Sequence, residues 1–188
     1  MTHQNAASEF SLRDRLRTDT AAAHAAVDAL LLDLKLDTAA GLADFLAVQY
    51  AGFCQMRTAL PNQAGPQKLN DVIWALEQDL QILGRAPLCV TAPNHSAHPV
   101  AAEYLTLGSR MGAAALRPKW RASSDQTVQK AQAFFTLPSV APHWRDWCDW
   151  AKTQPGLGPQ AEAILQSAKQ LFSGFETAAR QIQQTKAA

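Results

Sequence analysis

Apolar residues recur along this chain at three- and four-residue steps, the spacing of amphipathic helices rather than the alternation of strands. Leu12, Leu16, Ala23, Val27, Leu30, Leu31 and Leu34 form the first stripe, with Ser11 placed to cap it, so a helix is expected from Leu12 to about Lys35. Asp37-Thr38 restarts the chain, and Leu42, Phe45, Leu46, Gln49, Phe53 and Met56 define the inner stripe of a second helix that Pro61 ends. Gln67 to Leu83 reads as a third helix, carrying Val72, Ile73, Leu76 and Leu80 and stopped at Gly84. After loop residues at 84–96, a fourth is expected from Pro99 to Leu116, interrupted by Gly108 and Gly112 and closed by Pro118. Ser123 with Gln126 has capping-box spacing for a short helix through Phe135. Pro138 breaks that helix, and Pro142 suits the first turn of another. A last helix runs from Gln160 to about Gln183, after the turn Gly156-Leu157-Gly158-Pro159. The pattern predicts one helical domain over 11–184, behind a loose polar lead-in at 1–10.

Composition strengthens the helical reading. Alanine supplies 36 of the 188 residues and leucine 22, whereas valine and isoleucine together reach 11. Strands favour β-branched residues and helices favour alanine and leucine, so the fold class is all-α. Lys+Arg (17) and Asp+Glu (16) nearly cancel, which leaves no global field to draw the chain to nucleic acid or an anionic bilayer. No run of 18 apolar residues suggests a transmembrane helix. Cys54, Cys89 and Cys148 form neither a CxxC pair nor an even set. With no signal-peptide pattern at the start, a cytoplasmic protein is expected.

Two places stand out chemically. His24 is followed at i+4 by Asp28, which puts carboxylate and imidazole on one helix face, roughly 5–6 Å apart between Cβ atoms. A carboxylate that fixes one ring nitrogen as N–H makes the other a better metal ligand. Arg17, seven residues earlier, returns to nearly the same face and could pair with an acidic group of a ligand. The plain alternative is an exposed His–Asp pair with no ligand. The second place is the run from Tyr104 to Ala115, with Gly108 and Gly112 four apart. Each helical glycine costs about 1 kcal/mol relative to alanine. Glycines at this spacing clear one face, either for a flat ligand or for another helix.

Weaker features complete the inventory. His143, Trp144, Trp147 and Trp150 read first as a core stripe, and His95 with His98 lacks a third zinc ligand nearby. Arg110, Arg117, Lys119 and Arg121 make a local basic cluster, either a solvated face or a dock for an acidic partner. No P-loop, dinucleotide-binding, GxSxG or HExxH motif is present.

In order and separation, these residues resemble the bacterial, biliverdin-producing heme oxygenases. Leu12-Arg13, Leu16-Arg17, Thr20, His24 and Asp28 look like that family's proximal helix. Tyr104, Gly108-Ser109 and Met111-Gly112-Ala113 look like its distal helix, and Leu165, Ala168, Phe172 and Phe175 follow its closing pattern, so the likeness spans roughly 12–178. The resemblance implies an all-α fold holding heme between the first helix and a kinked distal helix. It makes His24 the axial iron ligand, supported by Asp28, and sets Tyr104 among the heme-binding residues. Gly108 and Gly112 would admit dioxygen close to the backbone, and Ser109 would hold water for proton delivery. Arg17 and Arg145 are implied partners of the heme propionates.

Heme would be both cofactor and substrate, consumed with O2 to give biliverdin, carbon monoxide and ferrous iron. Electrons would come from an external ferredoxin or reductase. The sequence departs from the pattern at Leu107, where an acid commonly precedes the Gly-Ser pair, and at Ser109, where mammalian relatives carry Asp. Ala21 and Asp149 stand where basic residues are expected. A heme-binding or heme-sensing protein on the same fold is therefore an alternative, as is a helical interaction domain with no cofactor.

Overall fold

A computed structural model describes residues 11–61, 66–88, 91 and 93–187; the expected lead-in at 1–10 and Cys89 lie outside them. Within these residues the chain forms nine helices: α1 Leu12–Asp19, α2 Ala21–Leu31, α3 Ala39–Ala59, α4 Gln67–Ile82, α5 Pro99–Arg121, α6 Gln126–Lys130, α7 Ala133–Thr136, α8 Ala141–Thr153 and α9 Pro159–Ala187. No strand is present among them, so the all-α expectation holds. Nor is any described helix long and apolar enough to cross a membrane.

The first expected helix is two. Ser11 caps α1 as anticipated, its hydroxyl accepting from Asp14 N at 3.2 Å. At buried Thr20 the hydroxyl turns back to donate to Leu16 O at 2.6 Å, and the residue adopts φ −102, ψ −2. Such back-bonding competes with the helical ladder and bends it. Helix α2 then ends at Leu31, short of the expected Lys35, and Val27 is its one fully buried residue.

Helix α3 is the central element. Its anticipated stripe is buried, and so are Ala43, Ala47, Val48 and Ala51 on its other faces. A helix apolar all round belongs in the middle of a bundle, and α4 and α9 flank this one. At Gly52 α9 comes close: a Cβ there would collide with the Phe175 ring. Asp44, also on α3 and buried, pairs with Arg85 at 3.0 Å and Lys186 at 2.6 Å. Arg85 is aimed by the end of α4, where Gly84 takes φ +64 and the Arg85 and Gly84 amides bond to Leu80 O and Gln81 O.

Helix α5 runs through Pro118, which was expected to close it, and ends at Arg121. An interior proline costs about 3 kcal/mol, so the last turn needs tertiary support. Buried Trp120 supplies it, donating from Nε1 to Val128 O at 2.9 Å and stacking on Phe135. The next helix is capped by Asp125, whose side chain accepts from Thr127 N at 2.8 Å, and not by Ser123. The Ser123 hydroxyl donates instead to Asp37 O at 2.6 Å. The expected single helix through Phe135 is split into α6 and α7 because α7 has its own caps. Buried Asp79 accepts from Ala133 N and Phe134 N at 2.9 and 2.8 Å. Buried Arg110 donates to Phe134 O, Leu137 O and Pro138 O at 3.1–3.3 Å. Burial, helped by nearby Arg117, lowers the Arg110 guanidinium to about 10, still charged at neutral pH.

Burial pushes the Asp79 carboxyl up against the opposing pull of the Phe134 and Ala133 amides. The folded state therefore holds this proton more tightly than the unfolded chain, and the contribution of Asp79 to stability falls as pH rises through the carboxylate range. Asp79→Ala orphans two backbone amides and should lower unfolding free energy by about 2–4 kcal/mol, measured by urea denaturation.

Candidate functional site

Helices α2, α3, α5, α8 and α9 together enclose a cavity of about 570 Å³, within the size range of small-molecule sites. The α5 wall carries Gly108 and Gly112. A Cβ on Gly112 would meet no atom within 4 Å, and one on Gly108 would meet only Trp144 Cη2 at 4.0 Å. These glycines thus clear space toward the cavity and do not serve close helix packing, unlike Gly52. Helix α5 is continuous across both, so they do not interrupt it as expected.

The α2 wall carries His24 and Asp28. His24 Nδ1 lies 2.9 Å from Asp28 Oδ2, the contact expected from the i,i+4 spacing. Donation of Nδ1–H to the carboxylate leaves Nε2 with its lone pair free. The imidazole is 59% exposed and meets the Phe172 ring of α9 edge-on at 5.6 Å. Among the described residues, no group of three or more His, Cys, Asp or Glu side chains could hold a metal ion. The lining thus offers one imidazole, His24, in a cavity where Gly108 and Gly112 leave open space.

Ser109 and Tyr104 also line the cavity. The Ser109 hydroxyl donates to Gln49 Oε1 at 2.9 Å. Gln49 lines the cavity from α3 while 6% exposed. It is a site residue the sequence reading did not single out, although a lone amide within the stripe Leu42, Phe45, Leu46, Phe53, Met56 was the available signal. Lys119, another lining residue, was read only as part of a basic cluster. That cluster does not form one face: Arg110 is buried against α7, and half-buried Arg117 donates to Leu137 O.

Arg17 and Arg145 are exposed and do not line the cavity. Thr20 separates Arg17, on α1, from His24, on α2. Arg145 lies near Asp149, whose carboxyl is held below its ordinary value by Lys152 first and by Arg145 more weakly. His98 caps α5 through Nδ1, which accepts from Val100 N at 3.2 Å, and so serves structure rather than zinc. His143 is exposed.

The fold has a counterpart among solved structures. It is similar to the heme oxygenase from Neisseria meningitidis, solved in NO- and CO-bound forms, with a TM-score of 0.65 and 23% identity over 92% of each chain. The fold is heme oxygenase-like. No protein-family model and no curated protein matches the sequence.

The two glycine environments predict opposite outcomes. Gly112→Ala should raise stability by about 0.5–1 kcal/mol, since it adds a helix former into open space. Gly52→Ala forces α9 away from α3 and should lower the melting temperature.

Proposed function

We propose that this chain is a heme oxygenase: it binds heme in the α2/α5 cavity and cleaves it oxidatively. The observation that carries the reading is the open space at Gly108 and Gly112 of α5, in a cavity whose α2 wall presents His24 with its Nδ1 tied to Asp28. Heme bound there would supply both the dioxygen-activating iron and the ring to be cleaved, giving biliverdin, carbon monoxide and ferrous iron with electrons from an external ferredoxin or reductase.

The residues of the chain divide the remaining work. His24 Nε2 would hold the heme iron, and Asp28 fixes the imidazole orientation by accepting from Nδ1–H. Gly108 and Gly112 would let the α5 backbone approach the heme closely, with no side chain of their own to fill that space. Ser109 and Gln49 hold a polar hydrogen-bonding pair at this wall, fit to order water and pass a proton inward. Tyr104 packs against the ligand beside Trp144. Lys119 pairs with a carboxylate substituent of the ring. Arg17 and Arg145 act as propionate partners only by reaching in from outside the lining.

One observation favours the second reading, a protein that holds heme without turning it over. Among the lining residues the one carboxylate is Asp28, and it is already engaged with His24. No acid therefore stands on the α5 wall to drive proton delivery.

A single cuvette separates these readings. Hemin added to the purified chain should give a saturable Soret band that His24→Ala alters or removes. Reductant and dioxygen should then replace that band with the biliverdin spectrum. An intact Soret band after exhaustive reduction in air would leave only the heme-holding reading. No saturable band at all would sink both. Gly112→Ala, stabilising without ligand, should weaken hemin binding.

A further inference from the structure

The α8 side of the cavity continues into a column of aromatic rings that reaches solvent. Tyr104 and Trp144 line the cavity, with ring centres 5.9 Å apart. Trp144 lies parallel to Trp147 at 5.7 Å and 3° between planes. Tyr104 also meets Trp147 directly at 5.3 Å. Trp147 meets Trp150 at 6.0 Å, and Trp150 is 42% exposed. The i, i+3, i+6 spacing on α8 sets the three indoles in this line. Hydrophobic packing accounts for buried Trp147 and for half-buried Tyr104 and Trp144, and the ring contacts continue from the cavity to part-exposed Trp150.

A second observation concerns the middle of the column. Trp147 Nε1 is buried with no hydrogen-bond partner. An indole N–H is a donor only, and burying one unpaired is unfavourable. Tyrosine and tryptophan are the side chains that give up a single electron most readily. An oxidised indole ordinarily sheds its N–H proton to a neighbouring acceptor and becomes a weaker oxidant. With no acceptor at Nε1, Trp147 keeps the proton and passes the vacancy on rather than trapping it.

We propose that Tyr104, Trp144, Trp147 and Trp150 form a one-electron conduit between a reductant at the protein surface and an oxidant held in the cavity. That the oxidant is an iron porphyrin rests on the reading above; the conduit itself does not. Each passage moves one electron inward. The oxidant takes it from Tyr104 or Trp144, and the vacancy is refilled through Trp147 and Trp150 by a small donor of the ascorbate class. Two passages would supply the two electrons that reduce one peroxide in the cavity. The peroxide is reduced to water, the donor is oxidised by two electrons, and the protons come from donor and solvent.

Pulse radiolysis of the full chain without any ligand tests the conduit. The background is Trp74→Phe with Tyr50→Phe, which removes the other exposed indole and leaves Tyr104 as the one tyrosine. Azidyl radical takes an electron from an exposed indole and becomes azide. The indolyl absorbance should then convert to phenoxyl absorbance at a rate independent of protein concentration, as Tyr104 loses an electron and its phenolic proton. Trp144→Phe should preserve the conversion because Tyr104 touches Trp147 directly; with half-buried Trp144 so removed as a direct azidyl target, Trp147→Phe and Trp150→Phe should each abolish it.

Tyr104→Phe should remove the phenoxyl signal. Conversion that survives loss of Trp150 or Trp147 in the background that also carries Trp144→Phe overturns the conduit. Phenylalanine at 147 sacrifices no hydrogen bond, and the surface variant at 150 decides the matter if the buried one does not fold. Failure of hemin to bind would sink the heme reading without touching this result.

Discussion

The structure turns on keeping apolar walls apart. Protein interiors pack as densely as organic crystals, and an unfilled space forfeits the dispersion contacts its lining could make. Large-to-small changes in cores are costly for that reason. A cavity of about 570 Å³ walled by leucine, phenylalanine and glycine would be expected to close unless the surrounding helices were fixed from behind. The buried polar contacts are arranged to do that. Asp79 and Arg110 grip the two ends of the four-residue α7, which braces the back of α5. Trp120 pins the last turn of the same helix against Phe135, on the far side of a proline. Asp44 gathers the end of α4 and the end of α9 onto α3.

This distribution explains why charge is scarce at the site itself. The chain has few charged residues, and several of the arginines serve as structural ties. Arg15 reaches Asp19, Gly156 O and Glu162 to hold α1 to the start of α9. Arg110 and Arg117 are spent on carbonyls at the end of α7. Lys119 is the cation left on the cavity wall, which makes it the natural partner for an anionic substituent.

Much of the fold was legible because helix periodicity is a local property. The inner stripes of α3 and α4, the Ser11 cap and the Pro142 start can each be read without tertiary knowledge. The misplacements have tertiary causes. Thr20 breaks the first helix because its buried hydroxyl prefers Leu16 O, and nothing local says the hydroxyl will be buried. Pro118 fails to end α5 because Trp120 is held from outside the helix. Ser123 yields its capping role because its hydroxyl oxygen accepts from Asp125 N while its hydrogen is donated to Asp37 O, 86 residues away.

At the site the same division holds. The His24–Asp28 pair follows from i,i+4 geometry, and Gly108 with Gly112 stood out against an alanine-rich background. That Gln49 and Lys119 face the same space depends on how helices cross. So does the absence of Arg17 and Arg145 from that lining.

The shallow seating of α2 carries a final consequence. With Val27 as its one fully buried residue and a break behind it at Thr20, this helix gains little of its hold from the core. Elements of that kind open locally at low free energy. Whatever occupies the cavity becomes, in effect, the missing part of the core on that side. Ligand affinity and the folding of α2 are then one equilibrium seen from two ends, and any molecule that binds only the closed arrangement stabilises the helix by mass action.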